Sequence, residues 1–201
     1  MQEPLMSNKS VRLFKNDFLE SLTFVHPIVP LLFWSPVVAY LLWRTLAVHQ
    51  IPVAQVAMMV LPGLIVWTLM EYLVHRFAFH FPAKSSFGKR LVYLYHGVHH
   101  EVPDDKGRLV MPPLGAVIIM AILWVLFGLL IPAPWFEPFF AFFIVGYIIY
   151  DYIHYATHHL RIRHGLLKSV TRHHLEHHYK SDKSKFGISS PFWDWVFGTL
   201  D

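Results

Sequence analysis

Residues 172–178 read RHHLEHH, which puts four histidines into seven positions. Imidazole takes up protons near neutral pH and binds transition metals well, and core packing gives no reason for such a run. Three more clusters occur: HRFAFH at 75–80, HGVHH at 96–100 and HYATHH at 154–159. His96, His99 and His100 stand at i, i+3 and i+4, as do His174, His177 and His178. Those positions share one face of a helix. His154 and His158 form an i, i+4 pair. His75 and His80 are five apart, so a helix is expected to end between them and turn His80 back toward the others. His159 and His173 sit about one residue step off the shared faces, which disfavours them as ligands. The singletons His26, His49 and His164 read as surface or hydrogen-bonded histidines.

The chemistry follows from the number and type of ligands. Ten imidazoles are too many for one ion, since even an octahedral ion takes about six. Two ions sharing His75, His80, His96, His99, His100, His154, His158, His174, His177 and His178 fit well. Imidazole suits zinc, copper, iron and nickel, so the ligands alone do not name the metal. A structural zinc site closes with about four ligands, so ten argue for a dinuclear centre with chemistry to do. The chain has no cysteine, which excludes thiolate-bound metal and disulfides. An accidental histidine-rich surface predicts scatter or a contiguous tract, not the same triplet twice. A proton relay needs one or two histidines. Carboxylates are sparse nearby. Glu71 and Asp151 are predicted to accept the free ring N–H of a ligand histidine and fix its tautomer. Glu101, Asp104, Glu176 and Asp194 are weaker candidates for that role.

The elements that must position these rings are read from hydropathy. Of the 201 residues, 55% are hydrophobic, and mean hydropathy is +0.41. Four apolar runs, roughly 24–48, 53–74, 110–131 and 135–155, each approach the ~20 residues that cross a bilayer. Pro27, Pro30 and Pro36 predict a late start or a kink in the first. Sixteen of seventeen Lys and Arg lie before run one, between runs two and three, or after run four. The positive-inside rule then puts both termini and the middle loop in the cytoplasm, and all four histidine clusters fall on that face. The expected fold is an all-α integral membrane protein with four transmembrane helices in two hairpins. A cytosolic His-rich helical cap holds the dinuclear metal site. Residues 1–201 form one membrane-embedded domain, with 1–23 as an interfacial N-terminal segment and no signal-peptide pattern. The mild net charge of +4 is explained by topology, so no nucleic-acid partner is expected.

Several motifs in order resemble one family. EYLVHRFAFH at 71–80, YHGVHH at 95–100, RLVMPP at 108–113, GYIIYDYIHY at 146–155 and HHLEHHYK with FGISSPFWDWVFGT at 173–199 look like the membrane fatty acid hydroxylases. These belong to the wider group of histidine-motif membrane desaturases and hydroxylases. The nearest resemblance is to the sphingolipid fatty acid 2-hydroxylase branch, from about residue 60 to the C-terminus. It implies an oxidoreductase, a monooxygenase that uses O2, two electrons and two metal ions to hydroxylate the carbon next to an acyl carbonyl. Carried over residue by residue, the ligands are the same ten histidines. Iron is the metal the chemistry expects, and zinc is one that a purified sample can carry. Many relatives carry a fused cytochrome b5-like domain, and nothing here resembles it. A separate electron-transfer protein, cytochrome b5-like or other, is therefore expected. The basic residues Lys84, Lys89, Arg90, Arg161, Arg163, Lys168 and Arg172 can attract an acidic redox partner or face anionic lipid.

Breaking an unactivated C–H bond is beyond side-chain acid–base chemistry, so the metal–oxygen unit must do it while the protein positions the substrate. The acyl chain is expected in an apolar channel open to the bilayer, with its headgroup at the cytoplasmic interface. Phe192, Trp193, Trp195 and Phe197 are expected to line or roof that region. The membrane is the endoplasmic reticulum in a eukaryote or the inner membrane in a bacterium. A sterol- or carotenoid-type desaturase or hydroxylase shares the histidine pattern, and the flanking motifs disfavour it. A metal transporter would place its site near the bilayer midplane on broken helices, not in clusters at one interface.

Overall fold

The computed structural model describes residues 10–201, so part of the expected interfacial segment, Lys9 included, lies outside the described residues. Among the described residues the regular elements are all helical, with no strand. In chain order the helices are α1 (Asp17–Ser21), α2 (Val29–Trp43), α3 (Val53–Met58), α4 (Val60–Val74), α5 (Ser86–Val92), α6 (Val98–Glu101), α7 (Pro113–Leu130), α8 (Ala133–His159), α9 (Gly165–Tyr179) and α10 (Phe192–Val196). Wide π turns extend α2 over Arg44–Val48 and α4 over His75–Phe79, and a third over Tyr93–Gly97 joins α5 to α6.

Four spans are long and apolar enough to cross a membrane: Val29–Val48, Val53–Phe79, Pro113–Leu130 and Ala133–His159. The first begins after Pro27, with Pro30 in its opening turn and Pro36 inside it. Short turns at residues 49–52 and 131–132 close the two expected hairpins. The spans are unequal. In the last, 50% of the most apolar window is buried, against 17–22% in the other three. α8 is therefore the axle, and the others show most of their surface outward. Leu61, Ile122 and Leu129 are among the large apolar side chains left exposed, as a lipid-facing surface requires.

Two glycines let α4 lie against α8. A Cβ on Gly63 would stand 2.7 Å from the Phe142 Cβ, and one on Gly146 would stand 2.6 Å from the Trp67 Cβ. Close backbone approach at small residues is how membrane helices gain packing without a hydrophobic driving force between them. Trp67 then meets Phe143 edge to face at 5.1 Å and Tyr147 at 5.3 Å.

Over 10–23 the described chain forms only the short α1, because Asn16 caps it by accepting the Leu19 N–H. Upstream, the Glu20 carboxylate accepts the N–H groups of Leu13 and Phe14, each at 2.9 Å, and pairs with Arg108. Arg108 also donates to Thr23 at 2.6 Å. These bonds tie residues 13–23 to the middle loop.

Candidate metal centre

The five-residue gap between His75 and His80 is bridged by a π turn, not by a helix end as the spacing suggests. The His80 N–H donates to the His75 carbonyl at 3.1 Å, one residue further along than in an α-helix. That widened turn brings residues five apart onto one face, and the two Nε2 atoms stand 3.2 Å apart. The third π turn carries His96 and runs without a break into α6, which carries His99 and His100.

The ten rings form two groups of five. His75, His80, His96, His100 and His177 make the first nest, and His99, His154, His158, His174 and His178 make the second. Within each nest the ligand-capable atoms lie within 4.8 Å of one another. In the first, Nε2 separations are 2.9 Å for His75–His96, 2.9 Å for His96–His100 and 3.0 Å for His80–His177. In the second they are 2.9 Å for His99–His154, 2.9 Å for His158–His174 and 3.0 Å for His174–His178. Each triplet is divided. The i, i+4 pair of one triplet, His96 and His100, joins the first nest, and its middle member His99 joins the second. His174 and His178 join the second nest, and His177 crosses to the first. The nests touch where His100 stacks on His178 at 4.2 Å.

The donor set fits metal ions. The Nδ1 of His75 donates to the Phe186 carbonyl at 2.6 Å, and that of His177 donates to the Ser184 carbonyl at 2.7 Å. A carbonyl only accepts, so these rings carry their proton on Nδ1 and aim a bare Nε2 lone pair inward. Ligands at right angles, about 2.1 Å from an ion, stand about 3.0 Å apart, against about 3.4 Å for a tetrahedron. The closest ring nitrogens in each nest stand near the first of these separations, so the rings could hold an ion between them. Burial reinforces the neutral form. It holds His96, His99 and His174 well below the ordinary imidazole range, with neighbouring rings adding to the effect. Burial, followed by the His177 ring, pushes His80 down to about 4 and His100 to about 3. Neutral, inward-facing imidazoles are what a metal requires.

The other candidates take different places. His173 donates its Nε2–H to Asp194 at 3.0 Å, and His159 packs on Tyr155 at 4.6 Å. Neither joins a nest. The tautomer-fixing role expected of Glu71 and Asp151 is corrected: neither carboxylate bonds a histidine among the described residues. Glu71 accepts the backbone N–H groups of Ile188 and Ser189, and backbone carbonyls serve as acceptors for His75 and His177. Glu101 is taken by Tyr93 and Glu176 by Lys180. Asp194, a weaker candidate from sequence, is fully buried and accepts from Phe186, Gly187, Thr199 and His173. Burial alone would raise its pKa, but those hydrogen bonds outweigh it, and the carboxyl lies below its usual range.

An apolar cleft runs between α4 and α7, with α8 as its floor. Trp67, Met70, Met120, Leu123 and Tyr147 line it. A second, separate cavity shares Phe79, Met111 and Tyr150 with the cleft and is lined by His96, His99 and His154. The expected roof of Phe192, Trp193, Trp195 and Phe197 is not there. Trp193 donates to Thr68 at 3.0 Å, Phe197 stacks on Tyr72 at 5.2 Å, and Phe192 and Trp195 are exposed. The C-terminal aromatics brace the outer side of α4 because α10 packs there.

Comparison with known proteins agrees with this geometry. The fatty acid hydroxylase family model matches residues 59–199. A dihydroceramide fatty acyl 2-hydroxylase of Arabidopsis thaliana is 37% identical over 201 residues, covering 100% of this chain and 84% of the relative. A ceramide very long chain fatty acid hydroxylase of Saccharomyces cerevisiae is 40% identical over 193 residues, covering 94% of this chain and 49% of the relative. The solved structure of full-length Scs7p, in which only the hydroxylase domain is visible, superposes with a TM-score of 0.86 at 40% identity. That match covers 92% of this chain and 70% of the solved one.

Proposed function

The chain belongs to the fatty acid hydroxylase family, and from that premise we propose that it is a membrane-bound, O2-dependent 2-hydroxylase of fatty acyl chains, acting on chains carried by ceramide-type sphingolipids. The observation that carries the reading is the path of the cleft. It is apolar along α4, α7 and α8, and it shares Phe79, Met111 and Tyr150 with the cavity that His96 of the first nest and His99 and His154 of the second line. An acyl chain lying in it presents a carbon near its polar end to both nests.

In this reading residues 1–201 act as one hydroxylase unit, and the ten clustered histidines hold two metal ions, iron in the active enzyme. Their convergence and their neutral state support that assignment. The bound pair supplies the O2 activation that side chains lack. The chain's own residues do the rest. Phe186 and Ser184 fix the tautomers of His75 and His177. Trp67, Met120 and Leu123 hold the acyl chain and exclude water. Cleft length, by setting how deep the chain lies, selects the carbon. The reaction converts a C–H bond and O2 to an alcohol and water, consuming two electrons and two protons. A separate electron-transfer protein delivers those electrons at the cytoplasmic face, where Lys168, Arg172 and the other basic residues attract an acidic donor. The protein resides in the endoplasmic reticulum or a bacterial inner membrane.

Mass spectrometry of hydrolysed lipids tests this, using cells that lack their own 2-hydroxylase and express either the wild type or His177→Ala. The expected result is 2-hydroxy fatty acid with the wild type only. A desaturated or hydroxylated sterol or carotenoid product instead, or no product from metal-loaded protein with a competent reductase, overturns it.

A further inference from the structure

Residues 184–189 cross the first nest as a strap, and two buried carboxylates hold its backbone. Asp194 accepts the N–H groups of Phe186 and Gly187, both at 2.8 Å. Glu71 accepts those of Ile188 and Ser189, at 2.6 and 2.7 Å. Four successive amides are thus divided between two side chains, one from the end of the chain and one from α4. The strap in turn faces the nest. Its Ser184 and Phe186 carbonyls accept from His177 and His75, and the Phe186 ring packs within 6 Å of His75, His80 and His177.

Asp194 extends the tie in two directions. It accepts from His173 on α9, and from Thr199, whose hydroxyl meets that of Tyr72 at 3.0 Å. Gly187 permits this grip, because a Cβ there would run into the Ser190 carbonyl and stand 2.8 Å from Asp194 Oδ2. The second nest has no counterpart. Among the described residues the Nδ1 atoms of His99, His154, His174 and His178 are buried and meet no acceptor.

We propose that Asp194 and Glu71 form a clamp that sets metal affinity at the first nest alone, acting through the backbone of residues 184–189 and not through a hydrogen bond to any ligand ring. They are positioning residues. The inference rests on the dimetal reading above. Each carboxylate oxygen of Asp194 accepts two hydrogen bonds, so an isosteric amide turns one double acceptor into a donor. The strap then shifts, and the His75 and His177 rings lose their fixed carbonyl partners.

The test uses the full chain in detergent, loaded with Zn2+ alone and challenged with EDTA, with zinc per chain read by mass spectrometry. Asp194→Asn and Glu71→Gln are compared with His75→Ala, which breaks the first nest, and His99→Ala, which breaks the second. The expected result is that each carboxylate variant loses one ion at ~10- to 100-fold lower EDTA than wild type and keeps the other. Combining Asp194→Asn with His75→Ala should still leave one ion, whereas combining it with His99→Ala should leave none. If one carboxylate variant fails to fold, the other decides. Two ions held as firmly as in wild type, both lost together, or failure of both variants to fold overturns the clamp. A wild type that holds no zinc overturns the dimetal reading and the clamp with it.

Discussion

The two nests use the same ligand type and nearly the same separations but stand on different backbone. The second draws on regular helix only: His99 from α6, His154 and His158 from α8, and His174 and His178 from α9. The first takes His100 and His177 from the same helices α6 and α9 but its other rings from irregular backbone: one π turn for His75 and His80 and another for His96, with a strap of loop fixing the tautomers of His75 and His177. Helix packing alone orients the second nest, whereas the first depends on loop geometry that other residues must hold. Both nests should be indispensable to the reaction, and they should differ in what disrupts them.

The largest expected effect is common to both. His96→Ala and His99→Ala should each lower hydroxylation by ~100-fold or more, because in the proposed dimetal reading each would remove a ligand of one ion. Lipid mass spectrometry checks this, and survival of activity in either variant breaks the symmetry of need. Gly187→Ala should separate the nests. The added Cβ lifts the strap off Asp194, so the variant should lose the first ion, retain the second and melt several degrees lower by thermal scan. Retention of both ions would show that the strap does not govern the first nest.

Acid should treat the nests alike. In the metal-free chain the buried rings stay neutral well below pH 6.5, with His80 near 4 and His100 near 3. The unfolded chain takes up protons as pH falls through about 6.5. Below that value it binds more protons than the folded chain, so stability declines with falling pH. His80 and His100 drop out of the slope as they protonate near 4 and 3, while His96, His99 and His174, held well below the ordinary range, keep stability falling, and above about pH 7 these rings contribute no slope. Melting temperature against pH after chelation reads this out. The smallest effect concerns His159, which lies outside both nests. His159→Ala should leave metal content intact and change stability by roughly 0.5 kcal/mol or less, measured by the same scan.

Much of this was legible in the sequence. The four spans, the short hairpin turns and the gathering of the histidine clusters at one end follow from hydropathy and helical spacing. The ten rings in the nests are the ten that spacing singled out. The division of each triplet between nests was not legible, because spacing gives a face and not a partner. The π turns also leave no compositional trace, since one extra residue in a turn looks like any other. The acceptors for His75 and His177 are backbone carbonyls, which have no residue identity to read. A search for acidic partners therefore led to Glu71 and Asp151, whereas Glu71 bonds a loop 117 and 118 residues away. The bond of His173 to Asp194 emerges only in three dimensions.

The most direct test of the central claim is a reaction of the purified, iron-loaded chain with a dihydroceramide, a reductant and 18O2. The account predicts one 18O atom in a new hydroxyl at carbon 2 of the acyl chain. An unlabelled hydroxyl, or a desaturated product without added oxygen, would contradict it.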